Sequence, residues 1–383
     1  MAPPAAAEHR FASVRIERLE IIPLHMPMKT PVKISHGAPR EHIDTLLVRL
    51  HTNTGVVGVG ETQAWRRQGS GETLGSLGSV LAEHFTQQVV GQSPFALASI
   101  MARLEQAVWH SLYAQAAISD ALYDLQGKLL GVPVHTLLGG RCRDRVPACA
   151  VLFMKASIEA TIAGAAEFQA RGFTSFTAKV GVDARKDEQL VAGLRERLGP
   201  DAILRVDANA GMDFDGALTL LRRLEPYGID AAEQLLSIGD VAGMAELARR
   251  SPIPLMVDES LATDGDLIAI LRQRAGTAVH TKVGKNGGIW GIRKLWNIAS
   301  AAGMRIYPGN HPCTSIGTLA AAHVATAWPG PLLEGAFAVG IETLADDVVR
   351  TPVLMQGNAV LVSDAPGLGV EVDEDKLKAY RAA

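Results

Sequence analysis

The sequence predicts an α/β protein in which a parallel (β/α) barrel follows a smaller α+β domain. Short apolar runs end in a polar or charged side chain, and these ends recur about every 25 residues along most of the chain. A strand, a helix and their two loops take about 30 residues, so each interval holds one such unit. Alanine- and leucine-rich segments with helical periodicity fill the intervals.

The polar strand ends predict a function as well as a fold. In a (β/α) barrel the active site lies at the carboxyl-terminal rim of the strands. The predicted strand ends therefore place a series of candidate functional residues on one rim: Lys179, Asp207, Glu233, Asp258, Lys282, His311 and Glu334. Chance rarely gives so many such positions in register, and the pattern indicates an enzyme.

Composition excludes several classes of function. The chain has 383 residues, of which 48% are hydrophobic and 20% charged, as in a globular protein. A net charge of −3 gives no basis for binding nucleic acid. No apolar run approaches the roughly 20 residues that span a bilayer, and residues 1–8 do not resemble a signal peptide. Three cysteines without metal-ligand spacing suggest free thiols. We expect a cytoplasmic protein that binds neither nucleic acid nor membranes.

Residues 13–135 are predicted to form the α+β domain, after a flexible start at 1–12. Alternating apolar and polar residues over 14–22, 45–50 and 55–61 predict an antiparallel meander. The glycines between 55 and 60 do not form a dinucleotide-binding loop, because the third glycine and the following helix are missing.

Two polar loops belong to this meander, at about 29–38 and 62–72, and we expect them to set substrate specificity. The second loop carries Trp65 and has glycines at its far end. We expect it to close over the substrate and exclude water.

The rest of the first domain is predicted to be helical, with helices over 96–104 and 114–130. Gly131 and Pro133 end the second of these helices. The barrel is predicted over 136–345, and its first strand over 145–152. Beyond Glu334 the pattern breaks, and residues 346–383 are predicted to return to the first domain.

Asp207, Glu233 and Asp258 end three consecutive predicted strands. Three carboxylates on one rim raise one another's pKa, unless a cation lies among them or the strand ends splay apart. An all-carboxylate set with open positions suits Mg²⁺ best, with Mn²⁺ as the alternative. Lys179 and Lys282 end the strands on either side. A poorly solvated lysine beside a cation has a lowered pKa, as a general base needs. The alternative for Lys179 is an ion pair with one of the carboxylates.

These motifs together resemble the enolase superfamily, and within it the muconate-lactonising subgroup, which also contains dipeptide epimerases and succinylbenzoate synthases. The resemblance covers nearly the whole chain and implies a (β/α)7β modified TIM barrel with a capping domain that the C-terminal segment rejoins. The motifs that carry it are Thr177-Ala-Lys179, Asp207-Ala-Asn209, Glu233-Gln234, Val257-Asp258-Glu259-Ser260 and Lys282-Val-Gly-Lys285-Asn-Gly-Gly288.

The resemblance also implies roles for the strand-end residues. By it, the three acids hold Mg²⁺, and Glu259 is turned away on the other face of its strand. Lys179 and Lys282 flank the substrate as acid and base. The shared step is abstraction of a proton α to the carboxylate of a small substrate, which gives an enediolate that the metal stabilises. A homo-oligomer is expected.

Two positions depart from the family pattern. The subgroup usually has lysine where this chain has Thr177, and the loss of that charge should leave Lys179 more basic. His311 stands near the catalytic histidine of the mandelate-racemase subgroup, but Lys282 replaces the aspartate that supports that histidine. His311 therefore has two interpretations at the site, contact with the substrate or proton donation to a leaving group. The alternative is a supporting role outside it.

The remaining candidates are assigned to substrate binding or left as ordinary polar residues. Glu334 resembles an eighth-strand acid that contacts the substrate carboxylate or its water, and a salt bridge is its alternative. Asn209, which shares a strand face with Asp207, and Thr177 are also assigned to the substrate. His36 and His280 are interpreted as ordinary polar residues.

Three reactions share such a site: cycloisomerisation, racemisation or epimerisation, and elimination of water. A lysine on each face of the substrate favours the first two, and this makes an isomerase the predicted activity. A dehydratase that uses His311 as its acid is the alternative. A non-catalytic barrel used for binding is the remote alternative.

Overall fold

A computed structural model describes residues 11–33, 39–65, 71–337 and 339–382. The predicted meander is present as β1 (Ile16–Val32), β2 (Arg40–Thr52) and β3 (Val57–Gln63), paired antiparallel in that order. β1 runs to Val32, so the first part of the predicted loop at 29–38 is strand. Residues 34–38 of that loop, including His36, lie outside the described residues. So do 66–70 of the second loop and most of the predicted flexible start.

Helices cover one side of the meander. The helix α4 (Leu112–Leu130) lies against β3, where a Cβ added at Gly60 would stand 2.1 Å from the Ala117 carbonyl oxygen, so the close approach requires glycine. α4 ends at Gly131, whose φ of 72° is the left-handed conformation that glycine adopts most easily. The helices are α1 (Leu74–Ser79), which continues through a π-helical turn (Val80–Phe85) into α2 (Thr86–Val89), then α3 (Leu97–Ala107), α4 (Leu112–Leu130) and α5 (Val134–Leu137).

The predicted first barrel strand at 145–152 is two strands in the structure. β4 (Val146–Pro147) pairs with β13 (Ala359–Val360) of the C-terminal segment, and only β5 (Ala150–Leu152) pairs with the barrel sheet. The apolar character is continuous across both strands, so the sequence pattern does not show the change of partner. The first barrel strand therefore begins five residues later than predicted, at Ala150 instead of at residue 145.

Seven parallel strands form the barrel sheet in chain order. They are β5, β6 (Ser175–Lys179), β7 (Ile203–Asp207), β8 (Ala231–Glu233), β9 (Leu255–Val257), β10 (Ala278–Lys282) and β11 (Arg305–Gly309). The helices between and after them are α6 (Ile158–Ala170), α7 (Ala184–Leu198), α8 (Phe214–Leu224) with a 3₁₀ turn (Glu225–Tyr227), α9 (Val241–Arg250), α10 (Asp264–Gln273), α11 (Gly288–Ala301) and α12 (Ser315–Ala327).

An eighth segment, residues 332–336, closes the barrel between β11 and β5. The Leu333 backbone nitrogen donates to the Ile306 carbonyl at 2.8 Å, and Gly335 forms a parallel bridge with Ala148. Because this segment pairs at single residues only, it is not a regular strand. The predicted (β/α)7β modified TIM barrel is confirmed.

The C-terminal segment packs back onto the capping domain. The Leu368 backbone nitrogen donates to Asp124 of α4 at 2.8 Å, and Arg381 forms an antiparallel bridge with Leu24 of β1. Its elements are α13 (Val339–Thr343), β12 (Met355–Gln356), β13 and α14 (Glu374–Tyr380). In the described part of the chain, no helix has the length and apolar character needed to cross a membrane.

Glu61 of β3 joins the capping domain to the barrel. Its buried carboxylate accepts hydrogen bonds from the backbone nitrogens of Thr314 at 3.0 Å and Gly317 at 2.9 Å, at the start of α12. The Thr45 hydroxyl donates to it at 2.9 Å. Burial raises the pKa of this carboxyl, against the effect of these hydrogen bonds. The positive end of a helix dipole favours a carboxylate in this position.

Replacing Glu61 with glutamine should lower the free energy of unfolding by about 1–3 kcal/mol, because an amide nitrogen then faces backbone donors. Urea denaturation monitored by circular dichroism measures this free energy of unfolding. Glu41 is exposed on the neighbouring strand β2, and Glu41→Gln should change the free energy by less than about 0.5 kcal/mol. Equal losses in the two variants would contradict the joining role of Glu61.

Candidate active site

The strand ends bring the predicted lysines and acids to one rim of the barrel. β6 ends at Lys179, β7 at Asp207, β8 at Glu233 and β10 at Lys282, and Asp258 directly follows β9. All five side chains are buried. A cavity of about 200 Å³ opens at this rim, between the barrel and the capping domain.

The two lysines approach this cavity from opposite sides. Lys179 is on the second of the eight barrel segments and Lys282 on the sixth, when β5 is counted as the first and residues 332–336 as the last. Three segments therefore separate them in either direction around the barrel. A small molecule in the cavity would lie between them.

Each lysine forms an ion pair with a different acid. The Lys179 ammonium lies 2.5 Å from Oδ2 of Asp207, and the Lys282 ammonium lies 2.5 Å from Oδ2 of Asp258. Burial lowers the pKa of Lys179, but the negative charges of Asp207 and Glu233 together raise it above its ordinary value. Burial lowers the pKa of Lys282 in the same way, but the negative charges of Asp258, Glu259 and Glu233 together raise it above its ordinary value. In this arrangement both lysines are protonated.

Asp258 is the most strongly paired acid of the group. Besides Lys282, it accepts a hydrogen bond on Oδ1 from the Lys285 ammonium at 2.7 Å. Burial would raise the pKa of Asp258, but the two lysines together with His280 hold it well below its usual range. Burial lowers the pKa of Lys285, although Asp258 opposes that effect.

Glu233 lies at the centre of the acids and next to His280. Its Oε1 is 2.6 Å from Nδ1 of His280. Burial and the charges of Asp207 and Asp258 raise the pKa of Glu233 well above its usual range. Burial lowers the pKa of His280 well below its usual range, so the imidazole is neutral. A neutral imidazole with its proton on Nδ1 donates to this carboxylate.

The donor set fits a divalent cation. Glu233, Asp258 and His280 each offer a ligand atom, and these atoms lie within 4.8 Å of one another. Asp207 stands beside them, with one oxygen on Lys179 and the other on the backbone nitrogen of Asn209 at 2.7 Å. Several buried acids that raise one another's pKa are stabilised when a cation lies among them. This cluster is the candidate metal site.

Asn209 supports the acids from a left-handed backbone conformation. Its φ is 48°, and the turn that this makes brings its side chain back to Asp207, where Nδ2 donates to Oδ2 at 3.0 Å. Nδ2 also lies 3.2 Å from Oε1 of Glu259. Non-glycine residues with positive φ are uncommon and cluster at functional sites.

Glu259 is not turned away from the site as expected. It is buried and joined to Asp207 through Asn209. Burial, with the charges of Asp258 and Asp207, raises its pKa to about 8. It therefore lies behind the row of acids as a largely protonated carboxyl near neutral pH.

His311 and Thr177 both line the cavity. The His311 ring is buried and stacks on Trp65, with ring centroids 4.8 Å apart, and it lies 5.8 Å from the ring of Tyr113. Burial and the nearby charge of Lys282 lower its pKa well below the usual range. The Thr177 hydroxyl lies 3.3 Å from the sulfur of Cys149, in the wall below Lys179.

The chain is similar over most of its length to known enzymes. Residues 18–139 match the family described as mandelate racemase / muconate lactonizing enzyme, N-terminal domain. Residues 160–376 match the family described as enolase C-terminal domain-like. The chain belongs to the mandelate racemase/muconate lactonizing enzyme family of the enolase superfamily. The resemblance inferred from the motifs is confirmed.

Relatives and solved structures of this family align with nearly the whole chain. It is 31% identical to muconate cycloisomerase 1 of Pseudomonas putida, over 97% of this chain and 99% of that one. It is 30% identical to N-succinyl-L-Arg/Lys racemase of Bacillus cereus, over 95% of this chain and 97% of that one. The crystal structure of muconate lactonizing enzyme from Pseudomonas fluorescens complexed with muconolactone matches with a TM-score of 0.92 and 32% identity. The match covers 96% of this chain and 99% of that one. This enolase-superfamily protein is an isomerase.

In this enolase-superfamily enzyme Glu334 does not lie at the active site. The Thr174 hydroxyl, just before the start of β6, donates to its carboxylate at 3.1 Å, and the buried Arg205 donates to its backbone carbonyl. Both contacts lie at the amino-terminal end of the barrel strands, opposite the rim that carries the lysines and acids. The assignment of Glu334 to substrate binding is therefore corrected, and Ala336 and Val339 line the cavity from this part of the chain.

Three residues of the enzyme's site were missed in the sequence. His280 lies two residues before Lys282 on one strand, and the alternation of β10 places both side chains towards the barrel axis. This two-residue spacing is the feature of the sequence that places His280 at the site. Lys285 belongs to the Lys282–Gly288 motif, but its bond to Asp258 depends on the turn after β10, which the motif does not show. Arg40 lines the cavity from the capping domain, and no spacing in the sequence relates it to the barrel.

Proposed function

We propose that this enzyme removes the proton α to the carboxylate of a small substrate and returns a proton from the opposite face, with Mg²⁺ as the metal. The observation that carries the proposal is the placement of Lys179 and Lys282 on opposite sides of one buried cavity. Two acid–base groups across a substrate suit racemisation, epimerisation or cycloisomerisation. Relatives named as a racemase and as cycloisomerases support the same group of reactions.

Asp207, Glu233 and Asp258 would hold the metal, with His280 orienting Glu233. A bound Mg²⁺, or Mn²⁺ in its place, supplies positive charge to the substrate carboxylate and to the enediolate that follows proton removal. Oxygen ligands favour Mg²⁺, and the single imidazole does not exclude it, because Nδ1 of His280 lies 2.6 Å from Glu233 and donates to it in the Nδ1-protonated tautomer.

Each lysine must lose its proton before it acts as a base. In the ion pairs with Asp207 and Asp258, the carboxylates favour the protonated lysines. Once those oxygens have other partners, less negative charge opposes the effect of burial, and the pKa of each lysine falls. The lysine on one face can then accept the α-proton, while its counterpart, still protonated, can deliver one to the other face. The capping domain covers the cavity and limits water around the reacting carbon.

The dehydratase alternative rests on His311 as an acid. The low pKa of His311 makes its imidazole neutral, and a neutral imidazole is a weak proton donor. Its stacking on Trp65 suits a group that shapes the cavity wall. These features support the isomerase over the lyase. A homo-oligomer and a cytoplasmic location stay predictions.

Incubating the enzyme with Mg²⁺ in deuterated water and a panel of acid sugars, N-acylated amino acids, dipeptides and muconates tests the proposal. Deuterium should enter at the α-carbon of at least one class without loss of water from the product, as followed by proton NMR and mass spectrometry. An α,β-elimination product from a hydroxy acid would support the dehydratase. No exchange in any class would contradict α-proton abstraction.

A further inference from the structure

The ladder between β1 and β2 carries a second group of metal-ligating side chains, outside the active-site cavity. His25, His42 and Asp44 each offer one ligand atom, and these atoms lie within 4.8 Å of one another. None of these three residues lines the cavity that holds the lysines and acids. The proposed reaction therefore gives them no role.

The pairing of the two strands brings the three side chains to one face of the ladder. Asp44 is paired directly with His25, and His42 is paired with Pro27, two residues further along each strand. Because side chains alternate along a strand, residues two apart share a face, and the side chains of paired residues are neighbours. The side chains are 49% exposed at His25, 57% at His42 and 24% at Asp44. An ion in solution can therefore reach all three.

Both imidazoles converge on one carboxylate oxygen at distances close to those of a metal site. Oδ1 of Asp44 lies 2.7 Å from Nδ1 of His25 and 3.5 Å from Nε2 of His42. Ligands bound tetrahedrally to zinc at 2.0–2.2 Å are separated from one another by about 3.3–3.6 Å. His42 already has this separation from Asp44. His25 has to move by less than about 1 Å, which rotation of a half-exposed side chain allows.

The charge at this group also favours a cation. Among the described residues, Asp44 forms ion pairs with the two imidazoles and with no lysine or arginine. Neutral imidazoles, the form that binds metals, leave the charge of this carboxylate uncompensated. His51 on the same strand differs, because its Nε2 lies 2.8 Å from the Arg18 guanidinium and 2.7 Å from Glu20. The guanidinium there would repel a metal ion.

We propose that His25, His42 and Asp44 form a second metal site, which binds Zn²⁺ in preference to Mg²⁺. Two imidazole nitrogens and one carboxylate oxygen suit zinc, and they leave the fourth position to water. Mg²⁺ prefers oxygen ligands and keeps the acids at the barrel rim. The zinc ion joins β1 to β2 near the residues with which these strands reach the cavity, Met28 and Arg40. Zinc therefore stabilises this part of the capping domain, and the inference does not depend on the proposed reaction.

Titration calorimetry with Zn²⁺ in saturating Mg²⁺ tests the second site. The wild type should bind one Zn²⁺ more than His42→Gln does, with a Kd on the order of 1–10 µM, weaker than a structural site with four ligands. His42→Gln removes the nitrogen ligand at an exposed position, so the variant should fold normally, as circular dichroism checks. Zinc bound elsewhere is common to both proteins and cancels in the difference. His25→Gln should weaken binding at this site by more than about 100-fold, as His42→Gln does.

His51→Gln is the matched control, because it removes one histidine from the same strand and leaves the proposed ligands intact. It should bind as much Zn²⁺ as the wild type. At a Zn²⁺ concentration about 100-fold above Kd, the wild type and His51→Gln should gain about 2–6 °C more in Tm than His42→Gln. Affinity for Mg²⁺ should be the same in all three proteins. Equal zinc stoichiometry in the wild type and His42→Gln, or an equal loss in His51→Gln, would overturn the inference.

Discussion

Replacing Asp258 with asparagine should abolish measurable Mg²⁺ binding and, with it, α-proton exchange. Its two carboxylate oxygens are held 2.5 Å from the Lys282 ammonium and 2.7 Å from that of Lys285, and the carboxyl is fully ionised. The amide has one oxygen and no charge. Removing a ligand should weaken metal binding by more than about 100-fold, since even supporting residues around a metal contribute about 10- to 100-fold. Titration calorimetry with Mg²⁺ measures the affinity.

Glu259→Gln is the matched control, because Glu259 is the next residue in the chain and is equally buried. With its pKa near 8, its carboxyl is largely neutral at pH 7, and glutamine closely resembles it. This variant should keep most of the affinity for Mg²⁺. Asp207→Asn and Glu233→Gln should behave like Asp258→Asn. Normal Mg²⁺ binding by a folded Asp258→Asn protein, checked by circular dichroism, would falsify the ligand assignment.

The barrel rim could be predicted from the sequence because a parallel barrel repeats one unit with one orientation. Every strand ends at the same edge, so the last polar residue of each apolar run reaches the same rim. This placed Lys179, Asp207, Glu233 and Lys282 at strand ends and Asp258 one residue beyond β9. The regular intervals between these residues are enough to predict that they share one rim, and no tertiary contact has to be known.

The same rule fails where a segment is not a regular strand. Glu334 ends an apolar run like the others, but it precedes the single bridge at Gly335 that closes the barrel. Its side chain meets Thr174, which precedes β6, so it lies at the face of the barrel opposite the lysines and acids. The hydrophobic pattern shows which residues form a buried segment. It does not show with which residues of the neighbouring strands that segment pairs.

Contacts set by turns were also beyond the sequence. The expectation for Glu259 assumed that strand alternation continues past β9, where the chain turns after Val257. Asn209, in a left-handed turn of its own, reaches across to it. The interpretation of His280 as an ordinary polar residue is wrong, because the two-residue spacing to Lys282 places both on the inner face of β10. Arg40 depends on how the capping domain lies over the barrel, which only the folded chain shows.

Replacing either active-site lysine should remove proton exchange from one face of the substrate. Lys179 and Lys282 lie on opposite barrel segments, so each handles protons on its own side of the α-carbon. Lys282→Ala should abolish exchange for one stereoisomer and partly spare the other, and Lys179→Ala should do the converse. Each loss should be about 10²- to 10⁴-fold, the contribution of a positioned acid–base group. Lys294→Ala, at an exposed ion pair on α11, should have no such effect.

Deuterium uptake measured separately for each enantiomer of one substrate distinguishes a two-base from a one-base mechanism. Two bases predict opposite stereochemical losses in the two variants. If one lysine is needed for both faces and the other is replaceable at little cost, the two-base mechanism is wrong, although the metal site is unaffected. His311 lines the same cavity and is neutral, so it can accept a proton before it donates one. That outcome would make His311 the second proton carrier, and elimination of water would then become the reaction that the site suits better.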